Sequence, residues 1–143
     1  MRIMKKILFL SILFSTLLAS CELEKTQNGD LDGFWQLHRI DTLSTGGSKD
    51  TRAERIFWSF DHKLMMTYGY GEFVYQFYNT GTELVVYEPH VSNREDGDPA
   101  VASVDMLRHV GINSLEEHFS IVKLKSDKMV LESDLLRLNF RKY

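Results

Sequence analysis

Cys21 is the single cysteine in the sequence, so no intramolecular disulfide can staple the fold. Metal ligands are no better grouped. The five histidines, His38, His62, His90, His109 and His118, stand at no helical or strand spacing that makes a metal pair, and no His-x-x-x-His occurs. No metal site or cofactor is therefore expected. A glycine-flanked serine elbow is also missing. Glu116 and Glu117 could form carboxylate pairs with Glu132 or Asp134, but charged residues at strand ends are usually solvated. Glu117 has a structural use as well, closing a capping box over Ser114-Leu115-Glu116-Glu117. These absences argue against an enzyme. Basic clusters are lacking too. Setting aside the first twenty residues removes Arg2, Lys5 and Lys6 and takes the formal charge from −3 to −6. Phosphate binding rests on concentrated Lys and Arg, so nucleic acid is excluded as a partner.

What is present begins with a leader. Arg2, Lys5 and Lys6 precede a nearly unbroken apolar run over 7–18 that ends in Ala19 and Ser20. The run is too short to span a bilayer and reads as an export signal over 1–20. Leu18-Ala19-Ser20-Cys21 resembles the lipobox of bacterial lipoproteins. The resemblance implies cleavage before Cys21 and acylation of that residue, giving a lipid anchor in the outer membrane on its periplasmic or outer face. Residues 21–32 then form an acidic tether, in which Glu22 and Glu24 weakly resemble the surface-export signal of Bacteroidetes lipoproteins. The remaining length suits one domain over 33–143.

Within that domain, short runs of alternating apolar residues are separated by turn signals, the pattern of an all-β fold. The runs cover 33–41, 54–61, 63–69, 72–79, 83–88, 118–125, 128–133 and 135–142. Eight strands are about the number at which an antiparallel up-and-down barrel closes. Between the fifth and sixth runs, Asp98-Pro99 offers a helix opening. Val101, Val104, Leu107 and Val110 recur every three residues, and Gly111 stands where a C-cap would fall. One short amphipathic helix over 99–110 is expected, lying over the barrel or closing one end.

Gly33-Phe34-Trp35 opens the first strand. A tryptophan there can plug the end of a small barrel while the glycine lets the backbone bend beside it. With Leu107, Gly111-Ile112 and the closing Leu138-Asn139-Phe140-Arg141-Lys142, this stretch resembles the lipocalin-like, calycin-type lipoproteins of Bacteroidetes. The resemblance implies that a basic residue of the last strand packs on Trp35; Arg141 is the first choice and Arg137 the second. The chain departs from the family pattern in its lack of a cysteine pair, its short loops, and a helix placed before the sixth strand.

Trp58, Phe60, Met66, Tyr68, Phe73, Tyr75 and Phe77 fall on alternating faces of the second, third and fourth runs. Facing inward they would line a pocket for a small hydrophobic or amphipathic ligand, with two tyrosine hydroxyls as polar handles; packed together they would fill the core. The first reading makes the protein a ligand-binding envelope lipoprotein. The second makes it an interaction module or accessory subunit, presenting loops 42–53 and 90–98 to an envelope protein or glycan.

Overall fold

The computed structural model describes residues 3–5 and 27–143. Most of the expected leader, the Leu18-Ala19-Ser20-Cys21 motif and the tether as far as residue 26 lie outside the described residues.

Among those residues one antiparallel sheet contains nine strands: β1 (Gly33–Thr42), β2 (Ser48–Asp50), β3 (Phe57–Asp61), β4 (Leu64–Tyr68), β5 (Phe73–Asn79), β6 (Glu83–Val91), β7 (Glu117–Leu124), β8 (Lys128–Glu132) and β9 (Leu136–Lys142). From β3 to β9 each strand pairs with its sequence neighbour. β1 then pairs with β9 from Trp35↔Lys142 to Thr42↔Leu136, which closes an eight-stranded barrel. Its other edge meets β3 over Gly33–Gln36 and β2 over Arg39–Asp41. The barrel has a base, where β1 begins and the turns after β3, β5 and β7 lie, and a mouth carrying the longer loops.

Two expectations are corrected. Residues 42–53 are not all loop, because Ser48–Asp50 forms β2 on the part of β1 that projects beyond β3. Residues 99–110 are not an α-helix. They hold two separate 3-10 turns, Val104–Met106 and Arg108–Val110, and Asp98 takes φ +50° instead of a capping geometry. A three-residue apolar repeat suits the three-per-turn 3-10 form as well as one stripe of an α-helix. The buried side chains of this segment, Val101, Leu107, Val110 and Ile112, make it a lid that stoppers the mouth. Gly111 ends the second turn at φ +93°, with Leu138 packed so closely that a Cβ would stand 3.0 Å from its methyls. The Tyr70 and His109 rings, stacked at 4.6 Å, clip the lid to the β4–β5 turn.

The base is closed by Trp35, fully buried, whose Nε1–H donates to the Leu31 carbonyl at 2.9 Å. Gly33 sits at φ +122°, a bend that favours glycine, and the Lys142 stem packs against it. Trp58 occupies the centre. Its ring centroid is 4.8 Å from Phe140 and 5.6 Å from Phe119, and its Nε1–H donates to the Val110 carbonyl at 2.9 Å. Each such side chain withdrawn from water contributes about 1.5–3 kcal/mol.

Candidate functional site

The seven aromatic and methionine residues expected to share an inner face divide into two groups. Trp58, Phe60, Phe73, Tyr75 and Phe77 point inward and are buried. There they pack on one another and on neighbours; Phe60 meets Phe77 edge-on at 5.2 Å. Met66 and Tyr68 are corrected to the outer face. The inward residues of β4 are Met65 and Thr67, both fully buried, while Tyr68 lies 5.5 Å from Phe34 and donates its hydroxyl to Met66 Sδ at 3.3 Å. Thr67 is tolerated inside because its hydroxyl bonds to the Tyr75 hydroxyl at 2.8 Å. Burial in turn pushes the Tyr75 phenol well above the ordinary tyrosine range. The interior is therefore occupied by the chain's own side chains, with Trp35 and Leu31 below and Leu107, Val110 and Ile112 above.

The basic residue over Trp35 is also corrected. Lys142 Nζ stands 4.8 Å from the Trp35 ring and donates to the Asp30 carbonyl at 3.0 Å. Arg141 points outward toward Asp127 at 3.7 Å, and Arg137 pairs with Glu132 at 2.8 Å. Side-chain alternation explains the exchange. Leu138 and Phe140 face inward, so residue 142 follows them while 137 and 141 face solvent.

A recess remains at the mouth, in the barrel wall. β7 pairs with β6 only over Glu83–Val86, and the chain returns to the same edge at the His90↔Ala100 bridge, where Val101 N–H donates to the Pro89 carbonyl at 3.0 Å. Between them the β6 backbone kinks at Glu88, φ +50°, and Pro89 offers no N–H. Tyr87, Glu88, Pro89, His90, Ala100, Val101, Leu115 and Glu116 line the resulting open groove of about 410 Å³. That volume lies within the range of small-molecule sites. The walls are mostly apolar, with carboxylates and His90 at the rim. Sequence reasoning missed this groove, although Pro89 and Pro99 flanking a polar stretch marked where regular pairing would fail.

Behind the groove, Glu117 is almost wholly buried and accepts from the Asn113 N–H at 2.7 Å. Burial raises its carboxyl above the usual carboxylate range, against the backbone N–H groups of Asn113 and Ser114 that favour the anion. This partly matches the capping box, since the carboxylate does close the loop before β7. Next to it His118 bonds to Glu83 at 2.7 Å and approaches Glu116 at 3.5 Å, and these carboxylates raise its imidazole above the ordinary value. No group of three His, Cys, Asp or Glu side chains among the described residues could hold a metal ion.

A closed eight-stranded up-and-down barrel, with a tryptophan and a basic residue of the last strand crossed at its base, defines a lipocalin-like architecture. The chain belongs to the lipocalin-like domain family, whose family profile matches residues 16–143. A lipocalin-like protein from Bacteroides uniformis has a similar fold, with TM-score 0.61 at 20% identity over 80% of this chain and 100% of that one. So does an uncharacterized protein from Bacteroides eggerthii, with TM-score 0.60 at 20% identity over 79% and 99%. No curated protein matches the chain.

Proposed function

We propose that the protein is a lipid-anchored, non-enzymatic component of the cell envelope that binds a small hydrophobic or amphipathic molecule at the mouth of its barrel. The Cys21 motif supports the anchor, and the apolar groove between β6 and the lid supports the ligand. The groove carries the reading because the barrel interior is filled. Of the residues expected to line a pocket, Trp58, Phe60, Phe73, Tyr75 and Phe77 pack in the barrel core, and Met66 and Tyr68 lie on the outer face of the wall.

A polarity-sensitive dye titrated against the processed protein should bind and be displaced by an amphipathic competitor. Val101→Arg or Leu115→Asp, each placing a charge on the apolar wall, should weaken binding about tenfold or more. Dye binding unchanged by both substitutions would remove the groove from consideration.

The packed interior also favours a second reading, in which the mouth loops 42–53 and 90–98 engage an envelope protein or glycan. Envelope pull-downs with either loop shortened discriminate, because loss of a partner without loss of dye binding selects this reading.

A further inference from the structure

The base of the barrel carries features that ligand binding does not use. Four segments meet there: the chain before β1, the β3–β4 turn, the β7–β8 turn and the end of β9. Asn28 donates to the His62 carbonyl at 2.7 Å, Lys142 Nζ to the Asp30 carbonyl at 3.0 Å, and Lys142 N–H to the Asp127 carbonyl at 2.9 Å. The tether is thereby clamped to this end of the barrel. Exposed apolar side chains stand on the base rim, Leu64 at 52% exposure and Val122 at 53%, while the Tyr143 ring turns up the outer wall onto Phe57 at 5.2 Å. Lys63, Lys123 and Lys125 are exposed in the same turns and form no ion pair among the described residues. Of the carboxylates here Asp127 is paired by Arg141 and Glu83 by His118, whereas Asp61 contacts His62, charged only when protonated, and Asp32 accepts from the neutral Asn28 amide. Asp30 is exposed and opposes the lysines.

We infer that this base is a membrane seat, resting on anionic lipid with Lys63, Lys123 and Lys125 at the headgroups and Leu64 and Val122 at the interface. The inference rests on the proposed anchor at Cys21. Five residues separate Cys21 from Gln27, six peptide steps, so the connection reaches at most about 20 Å. A domain of this length is roughly 35 Å across. A linker shorter than the domain and fastened at the base holds that end toward the bilayer and leaves the groove facing away. Unpaired lysines near an anionic surface add attraction, about fivefold in binding for each.

The acylated protein is reconstituted into vesicles of neutral lipid or of neutral lipid with about a third anionic lipid, a fraction chosen to give a surface potential of ~−30 mV or beyond. A fluorophore is attached at Ser126→Cys at the base or Asp96→Cys at the mouth, each unique once Cys21 is acylated, and quenching by headgroup spin-labelled lipid is read. On anionic vesicles the base label should be quenched severalfold more than the mouth label. Lys63→Gln, Lys123→Gln and Lys125→Gln combined should lower base quenching to its level on neutral vesicles. Equal quenching of the two labels, or no response to the triple substitution, overturns the seat while the anchor stands. Failure of the chain to float with either vesicle removes the anchor and the seat with it.

Discussion

Exchanging Lys142 against Arg141 tests the closure of the barrel base. Lys142→Met keeps an apolar stem across the Trp35 ring but removes both the ammonium 4.8 Å from its centroid and the donor to Asp30. A cation over an indole contributes about 0.5–2 kcal/mol, and a hydrogen bond about 1 kcal/mol net. Lys142 is only half-buried, so the combined loss should be about 1–2 kcal/mol. Arg141→Gln removes an exposed ion pair at 3.7 Å, worth less than about 0.5 kcal/mol. At this domain size a kilocalorie corresponds to roughly 4 °C, so thermal unfolding of the processed chain should show Lys142→Met falling about 4–8 °C and Arg141→Gln scarcely moving. Urea unfolding should give the same order with an unchanged slope. If Arg141→Gln proved the more damaging, the cation on Trp35 would have been misassigned.

Other consequences can be measured on the same protein. Trp58→Phe leaves the buried Val110 carbonyl without its donor and opens space in the core; it should cost about 2–4 kcal/mol and speed amide exchange in the lid over residues 104–112, and unaltered lid exchange would contradict the tie. Gly111→Ala combines a left-handed backbone with a contact on Leu138, so about 1–3 kcal/mol should be lost; a neutral result would show that the lid can shift freely. His118 is held protonated by Glu83 above its ordinary value of 6.5, so its contribution to stability is complete below that pH and is lost as pH rises through the raised folded value. Urea midpoints between about pH 5.5 and 8.5 should therefore fall across that window in the native chain and less in His118→Gln; the same fall in both would rule out this histidine as the cause.

The eight barrel strands were legible in the sequence because short apolar runs, most of them alternating, end on turn residues. β2 was not, since Ser-Lys-Asp has no apolar residue and its place is set by the projecting end of β1. Inside-outside parity was not legible in β4, where Leu64, Met65 and Met66 are consecutive apolar residues and the inward Thr67 is polar, its hydroxyl satisfied by Tyr75. The alternation in β9 already pointed to Lys142. The choice of Arg141 followed family resemblance instead of the parity that Leu138 and Phe140 had established. The groove was the least visible feature, because an interrupted ladder depends on where the chain returns to the strand edge, and residues 92–99 gave no local signal for that return.

The seam between β1 and β9 joins residues a hundred positions apart, Trp35 to Lys142 at one end and Thr42 to Leu136 at the other. Closure consequently waits on β9: until Leu136–Lys142 are in place, both flanking edges stay open and Trp35 lacks its cover. Such distant pairing makes for slow maturation, so removing Leu136–Lys142 should yield an unfinished, aggregation-prone sheet, not a slightly weakened protein.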